Sequence, residues 1–204
     1  MTKARAEEFQ AVSDTLFHWS FYDPEIKCEL GTAAVKVTSG LVVIDPAPLA
    51  EEAWAELLAA APLRAILLTS GNHLREAAAL REKHQVPIVT ALEAHKAVAP
   101  LRPDVILLEN ELLYGARAIP VPGAAEGETA FFFDSGVLAL GDAVLNLDSE
   151  KGLELLPDKY CQDARQLRDS LRRLLDLDFH TLTVAHGLPV TQHARKKLSD
   201  LLLA

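Results

Sequence analysis

The sequence predicts an α/β (α+β) fold of four layers, an αββα sandwich in which two mixed β-sheets pack together and helices flank them on both outer faces. Two observations point there. Strand-like and helix-like runs alternate in both halves of the chain instead of separating into an all-strand and an all-helix half. Their order is a hairpin and helix, then βαβα, then a meander of strands, then helix–strand–helix. At 204 residues the chain is long enough for one sizeable core and short for two ordinary domains, so residues 1–204 are expected to form one domain.

Residues 1–13 are polar and read as an exposed lead-in. Residues 16–22 (Leu-Phe-His-Trp-Ser-Phe-Tyr) form an aromatic-rich strand, stopped by Asp23-Pro24. His18 alternates with aromatic residues there and reads as a satisfied sheet histidine. Residues 32–37 and 41–44 are strands around Thr38-Ser39-Gly40, a hairpin with glycine where positive φ is most needed. Asp45-Pro46 ends it. Residues 49–60 carry apolar side chains at helical spacing, and Pro62 closes that helix. The apolar run 65–68 is a buried strand. It ends in the polar turn Ser70-Gly71-Asn72, after which residues 74–83 read as a helix. A strand ending in a tight polar turn before a helix is where α/β proteins gather side chains and helix N–H groups, so this turn is the first place to look for chemistry.

Residues 87–90 form a strand and 91–98 a short helix. Strands follow at 105–108, 112–120, 129–134 and 137–140, with a glycine-rich loop at 121–129. Glu126 and Glu128 flank Gly127 in that loop and are expected to be exposed, the other reading being that they face a pocket. Residues 153–156 are a further strand candidate. Residues 163–175 place Leu167, Leu171, Leu174 and Leu175 on one face of an amphipathic helix, with Asp163 as its N-cap. A strand at 181–184, the turn Ala185-His186-Gly187 and a helix at 190–203 complete the chain. His84, His95, His180 and His193 lie in polar surroundings and are expected at the surface.

Composition narrows the function. Half of the residues are hydrophobic, 24% are charged, and no apolar run approaches a membrane span. The N-terminus lacks the apolar segment of a secretory signal. A net charge of −9 argues against nucleic-acid or anionic-membrane partners. Cys28 and Cys161 form no Cys-x-x-Cys motif and read as reduced thiols of a cytoplasmic protein. A small-molecule ligand or a second copy of the chain are the partners left open.

The order of turns resembles the metallo-β-lactamase-fold superfamily of zinc-dependent hydrolases over roughly residues 30–200. The landmarks are the hairpin ending in Asp45, the strand ending Leu67-Leu68-Thr69, the loop Pro122-Gly123, the turn Gly141-Asp142-Ala143 and the strand end His186-Gly187. The resemblance implies the αββα fold and a site where imidazoles and carboxylates on separate loops hold zinc, lowering the pKa of a bound water. Carried over residue by residue, the family's His-x-His-x-Asp-His signature falls on Ser70, Asn72, Leu74 and Arg75. The histidine after Pro-Gly falls on Ala124. Asp142 and His186 alone match.

A dinuclear zinc site is therefore not expected. Leu74 and Ala124 cannot bind metal, and Arg75 carries a permanent charge that repels a divalent ion. Arg75 is expected to replace the missing cation by pairing with Asp142, the other reading being a side chain pointing into solvent. His73 reads first as a hydrogen-bonding residue at the helix start, and second as a replacement ligand beside Asp142 and His186. Ser70 with His186 and Asp142 is a third arrangement, a metal-free nucleophilic triad without a Gly-x-Ser-x-Gly elbow. The expected protein is thus a non-catalytic or metal-independent hydrolase homologue. Its polar pocket is formed by Ser70, Asn72, His73, Arg75, Asp142 and His186, and no cofactor is expected. The alternative is a mononuclear hydrolase of an ester, thioester or phosphoester holding one Zn, Fe or Mn ion on His73, Asp142 and His186.

Overall fold

A computed structural model describes residues 4–148 and 150–203. Seven strands form the first sheet in chain order: β1 (Gln10–Ala11), β2 (Leu16–Asp23), β3 (Cys28–Val37), β4 (Gly40–Ile44), β5 (Leu63–Leu68), β6 (Ile88–Ala91) and β7 (Val105–Leu107). β1 to β4 pair antiparallel, and β4 to β7 pair parallel. The change of direction follows from the connections. Gly40, at φ 141°, closes the β3–β4 hairpin. α1 (Glu51–Ala60), α2 (Ala77–His84) and the short α3 (His95–Val98) then supply the crossovers that parallel strands require.

The second sheet contains β8 (Leu112–Leu113), β9 (Ala116–Pro120), β10 (Thr129–Phe133) and β11 (Val137–Leu140). A small ribbon of β12 (Val144–Leu145) and β13 (Glu154–Leu155) follows, then α4 (Ala164–Leu174), β14 (Thr181–Val184) and α5 (Ala194–Leu203). The spatial order is β14-β11-β10-β9-β8, with β14 parallel to β11 and the other pairs antiparallel.

Strand periodicity sorts the apolar residues into three cores. In β4 and β5, Leu41, Val43, Ile66 and Leu68 face the helices and pack with Trp54, Leu57 and Leu80. Their neighbours Val42, Ile44, Ala65 and Leu67 face the other sheet and meet Ala118, Phe131, Phe133 and Ala139. Leu138, Leu140, Leu182 and Val184 point outward from the second sheet onto Leu167, Leu171, Leu198 and Leu202 of α4 and α5. Strands buried on both faces read as continuous apolar runs. The layers are thus helix, sheet, sheet, helix, as the sequence predicts. Asp163 caps α4, its carboxylate accepting from the N–H groups of Arg165 and Gln166 at 2.9 Å each. Among the described residues no helix is long and apolar enough to cross a membrane.

Three local expectations change. The lead-in is not wholly exposed: Ala6 is buried and bridges to Leu49, accepting from Ala50 N–H at 2.9 Å; residues 1–3 lie outside the described residues. The run 112–120 is two strands, broken by Tyr114-Gly115, both at positive φ. The helix expected at 74–83 starts at Ala77, and a single 3-10 turn (Gly71–His73) precedes it. Ser70 caps that turn by accepting from Asn72 N–H at 3.3 Å. The tighter turn rotates His73 inward, where it is buried.

Both sheets end at one place. The C-terminal ends of the parallel strands β4, β5, β11 and β14 carry Asp45, Thr69, Gly141-Asp142 and Ala185-His186 respectively. There Gly31 of β3 donates its N–H to the Ala185 carbonyl at 2.8 Å, joining the margins of the two sheets. A Cβ on Gly31 would meet the Gly187 and Val184 carbonyl oxygens at 2.8 and 2.9 Å, so glycine permits this approach.

Candidate metal centre

The site is built around His73. Its ring is buried, 2% exposed, and lies between two carboxylates. Asp45 follows β4 in a left-handed conformation (φ 50°) that an aspartate tolerates. Its Oδ1 accepts from Thr69 N–H at 2.9 Å and its Oδ2 from the Thr69 hydroxyl at 2.6 Å. With its hydrogen directed to Asp45, the Thr69 hydroxyl presents only lone pairs to His73 Nδ1, 2.9 Å away. Asp45 Oδ2 lies 3.1 Å from the same nitrogen. Both neighbours accept, so Nδ1 carries a hydrogen.

His186 is arranged alike from the second sheet. Its Nδ1 lies 2.9 Å from the Glu29 carbonyl, which can only accept, so this nitrogen also donates; Cys28 Sγ is 3.3 Å from it. The two remaining ring nitrogens converge on one atom. His73 Nε2 and His186 Nε2 lie 3.1 and 3.2 Å from Asp142 Oδ1. The Asn72 amide holds the other oxygen, Oδ2, at 2.8 Å. A nitrogen facing a carboxylate oxygen at this distance needs a hydrogen or a cation between them. His73, Asp142 and His186 each offer one ligand atom within 4.8 Å of the others, a cluster that could hold a metal ion. Bonds of about 2.1 Å around a tetrahedral ion leave ligand atoms roughly 3.4 Å apart, close to the separations from Asp142.

The electrostatics follow from the same contacts. Burial is the largest influence on His73 and opposes its charge, yet the Asp45 and Asp142 carboxylates outweigh it and raise the imidazole to about 9. Burial likewise opposes ionisation of Asp142. Hydrogen bonds from His186, His73 and Asn72, with the His73 charge, hold its carboxyl well below the usual range. Beside them Glu128 is buried, with Oε1 accepting from Ala143 N–H at 3.2 Å and Oε2 without a partner. Burial, then the charge of Asp142, pushes it up to about 8.

Several expectations change at the site. Arg75 neither pairs with Asp142 nor points into solvent. Its Nη1 donates to the carbonyls of Gly31 and Asp45, each at 2.8 Å, and its Nη2 to that of Ala185 at 3.1 Å. Asp142 already has three ring or amide nitrogens around it, whereas those carbonyls converge on one point that a planar guanidinium can bridge. Ser70 does not form the triad. It is fully buried, caps the 3-10 turn and lies 3.5 Å from His73 Nδ1, the nitrogen turned away from Asp142. Ala124 is buried among the apolar residues under α4. Glu126 is exposed, but Glu128 is not. His18 is buried with Nε2 unpartnered, and burial lowers it to about 4. His180 and His193 are exposed, while His84 and His95 are half-buried, His84 against Trp54. Asp45, Thr69 and the Glu29 carbonyl, which orient the rings, are the contributors the sequence reading missed. An acidic residue directly after an apolar strand was the available signal for Asp45.

The sequence matches the profile of the metallo-beta-lactamase superfamily over residues 11–204. It is 31% identical over 94 residues to the probable metallo-hydrolase YflN of Bacillus subtilis (strain 168), a match covering 41% of this chain and 36% of that protein. Among solved structures, the metallo-beta-lactamase from Pontibacter korlensis superposes with a TM-score of 0.74 at 17% identity, over 96% of this chain and 98% of that one. TTHA1623 in a di-iron-bound form gives 0.65 at 22% identity, over 85% and 94%. At these identities the structural likeness is one of fold.

Proposed function

The chain belongs to the metallo-β-lactamase superfamily, and from that premise we propose that it is a mononuclear metal-dependent hydrolase of an ester, thioester or phosphoester. His73 Nε2, Asp142 and His186 Nε2 are its ligands. The observation that carries this reading is the division of labour in the two imidazoles. Each commits Nδ1 as a donor, one to Asp45 and Thr69, the other to the Glu29 carbonyl, and each aims Nε2 at Asp142 Oδ1. Metal-binding histidines are held this way, the outer N–H fixing tautomer and ring plane. When bound, a Zn, Fe or Mn ion supplies Lewis acidity and a water of lowered pKa. The chain supplies the rest. Asn72 fixes the rotation of Asp142 through Oδ2, and Asp45 and Thr69 hold the His73 proton on Nδ1. The relative described as a probable metallo-hydrolase supports the reaction class.

Elemental analysis of protein purified without chelator tests the reading. About one equivalent of metal is expected, with turnover of an ester, thioester or phosphoester panel that chelator removes. His186→Ala and Asp142→Ala are expected to lose both metal and turnover while remaining folded by circular dichroism. Metal-free protein that cannot be reloaded sinks it.

One observation favours a second reading, a metal-free binding pocket. Asn72, His73 and His186 together give Asp142 three donors when both rings are protonated, which satisfies the carboxylate with no ion present. That reading expects no metal and no turnover from the same experiment.

A further inference from the structure

Arg75 lies between the two sheets, and its geometry is unusual. It is a non-glycine residue at φ 33°, just before α2. Such a conformation costs free energy and persists where surrounding contacts over-determine it. The contacts are three carbonyls on three different strand segments: Gly31 within β3, Asp45 at the end of β4 and Ala185 at the end of β14. Two of these lie next to the chemistry. The Asp45 side chain orients His73 Nδ1, and Ala185 immediately precedes His186. The guanidinium therefore spans the first sheet, which carries Asp45 and His73, and the second, which carries His186. Its charge also acts on the Asp45 and Asp142 carboxylates and on Cys28.

We propose that Arg75 is a positioning residue, a clamp that sets the approach of His186 to His73 and Asp142 and so preorganises the ligand set before any ion binds. The proposal rests on the reading of these three residues as metal ligands for its consequence, but the clamp is a property of the metal-free chain. Only a planar fork with several N–H donors reaches carbonyls in this arrangement; a lysine ammonium keeps the charge and loses the fork. Arg75→Lys therefore separates charge from geometry.

The test compares wild type, Arg75→Lys and Arg75→Gln after chelator treatment. Long-range nitrogen–proton NMR follows the imidazole rings, and cobalt(II) titration follows the visible absorption. In Arg75→Lys the ring signals of His73 and His186 are expected to move, while those of His180 and His193 stay in place. Cobalt is expected to bind at least about tenfold more weakly, with an altered band shape, as when an outer-shell partner of a metal site is lost. Arg75→Gln is expected to show the same shifts and a larger loss of affinity. A merely structural role would lower the unfolding temperature and leave the ring signals and the cobalt spectrum of the folded protein unchanged, and that result would overturn the proposal. If wild type takes up no cobalt, the metal-ligand reading fails. The ring signals still decide the clamp: movement of His73 and His186 in Arg75→Lys supports it, and unmoved signals overturn it.

Discussion

Glu128 has one carboxylate oxygen without a partner in a site that already contains Asp45 and Asp142. Its folded pKa of about 8 lies above the ordinary glutamate value of 4.5, so the folded state binds a proton that the unfolded chain releases. The stability this provides is complete below about pH 4.5 and is lost as pH rises through about 8. At pH 7 the loss amounts to roughly 3 kcal/mol. Glu128→Gln removes the titrating group while keeping the shape. Urea unfolding of chelator-treated protein at about pH 5 and 7.5 is expected to show the wild type losing stability across that interval relative to the variant; parallel curves would refute this assignment. The same residue shows where sequence reading stops. Glu126 and Glu128 flank one glycine and look equivalent in the chain, yet the turn at Gly127, at φ 73°, leaves Glu126 exposed and Glu128 buried in the site. Asp142 and His186 were legible because each ends an apolar strand in a recognisable turn. His73 was visible as a candidate only, because its inward rotation depends on a turn of three residues.

At the scale of elements, periodicity made most strands and helices legible, and their boundaries moved by a few residues where caps and turns decide them. α4 is the clearest case. Its apolar face and its N-cap are both local features, and Asp163 accepts two backbone N–H bonds at the first turn. Asp163→Ala is expected to cost about 1 kcal/mol in chemical unfolding and to leave metal uptake unchanged, since α4 covers the outer face of the second sheet. A loss of metal with that substitution would mean that the outer layer is coupled to the site. The 3-10 turn at Gly71–His73 behaves differently. It carries no apolar period, its cap is a serine that also resembled a nucleophile, and its conformation is fixed by side-chain contacts of Asn72 and His73 with Asp45, Thr69 and Asp142. Sequence patterns report burial faces; they do not report which of several polar side chains a neighbouring sheet will engage.

At the scale of the whole molecule, the site exists only because two stacked sheets converge at one end. His73 and Asp45 come from one sheet, and Asp142 and His186 from the other. One close approach is at Gly31, which donates its N–H to Ala185 and accepts from Arg75 through its carbonyl. A methyl group there would meet two carbonyl oxygens of the β14 segment inside 3.0 Å, so the sheets must separate or β14 must shift, carrying His186 with it. Gly31→Ala is expected to cost about 1–3 kcal/mol, the usual range for overpacking, and also to weaken cobalt binding and displace the His186 ring signals. Gly152→Ala is the control. Unlike Gly31, Gly152 has positive φ, and a Cβ there meets nothing within 4 Å, so it carries a backbone cost of about 1 kcal/mol without a steric push. If Gly31→Ala matched this control in both stability and ring signals, the sheets would be free to slide at their shared margin. The placement of His186 would then have to come from β11 and its own turn. If the two variants differ as expected, the spacing between sheets is what brings two imidazoles, distant in the chain, to one carboxylate oxygen.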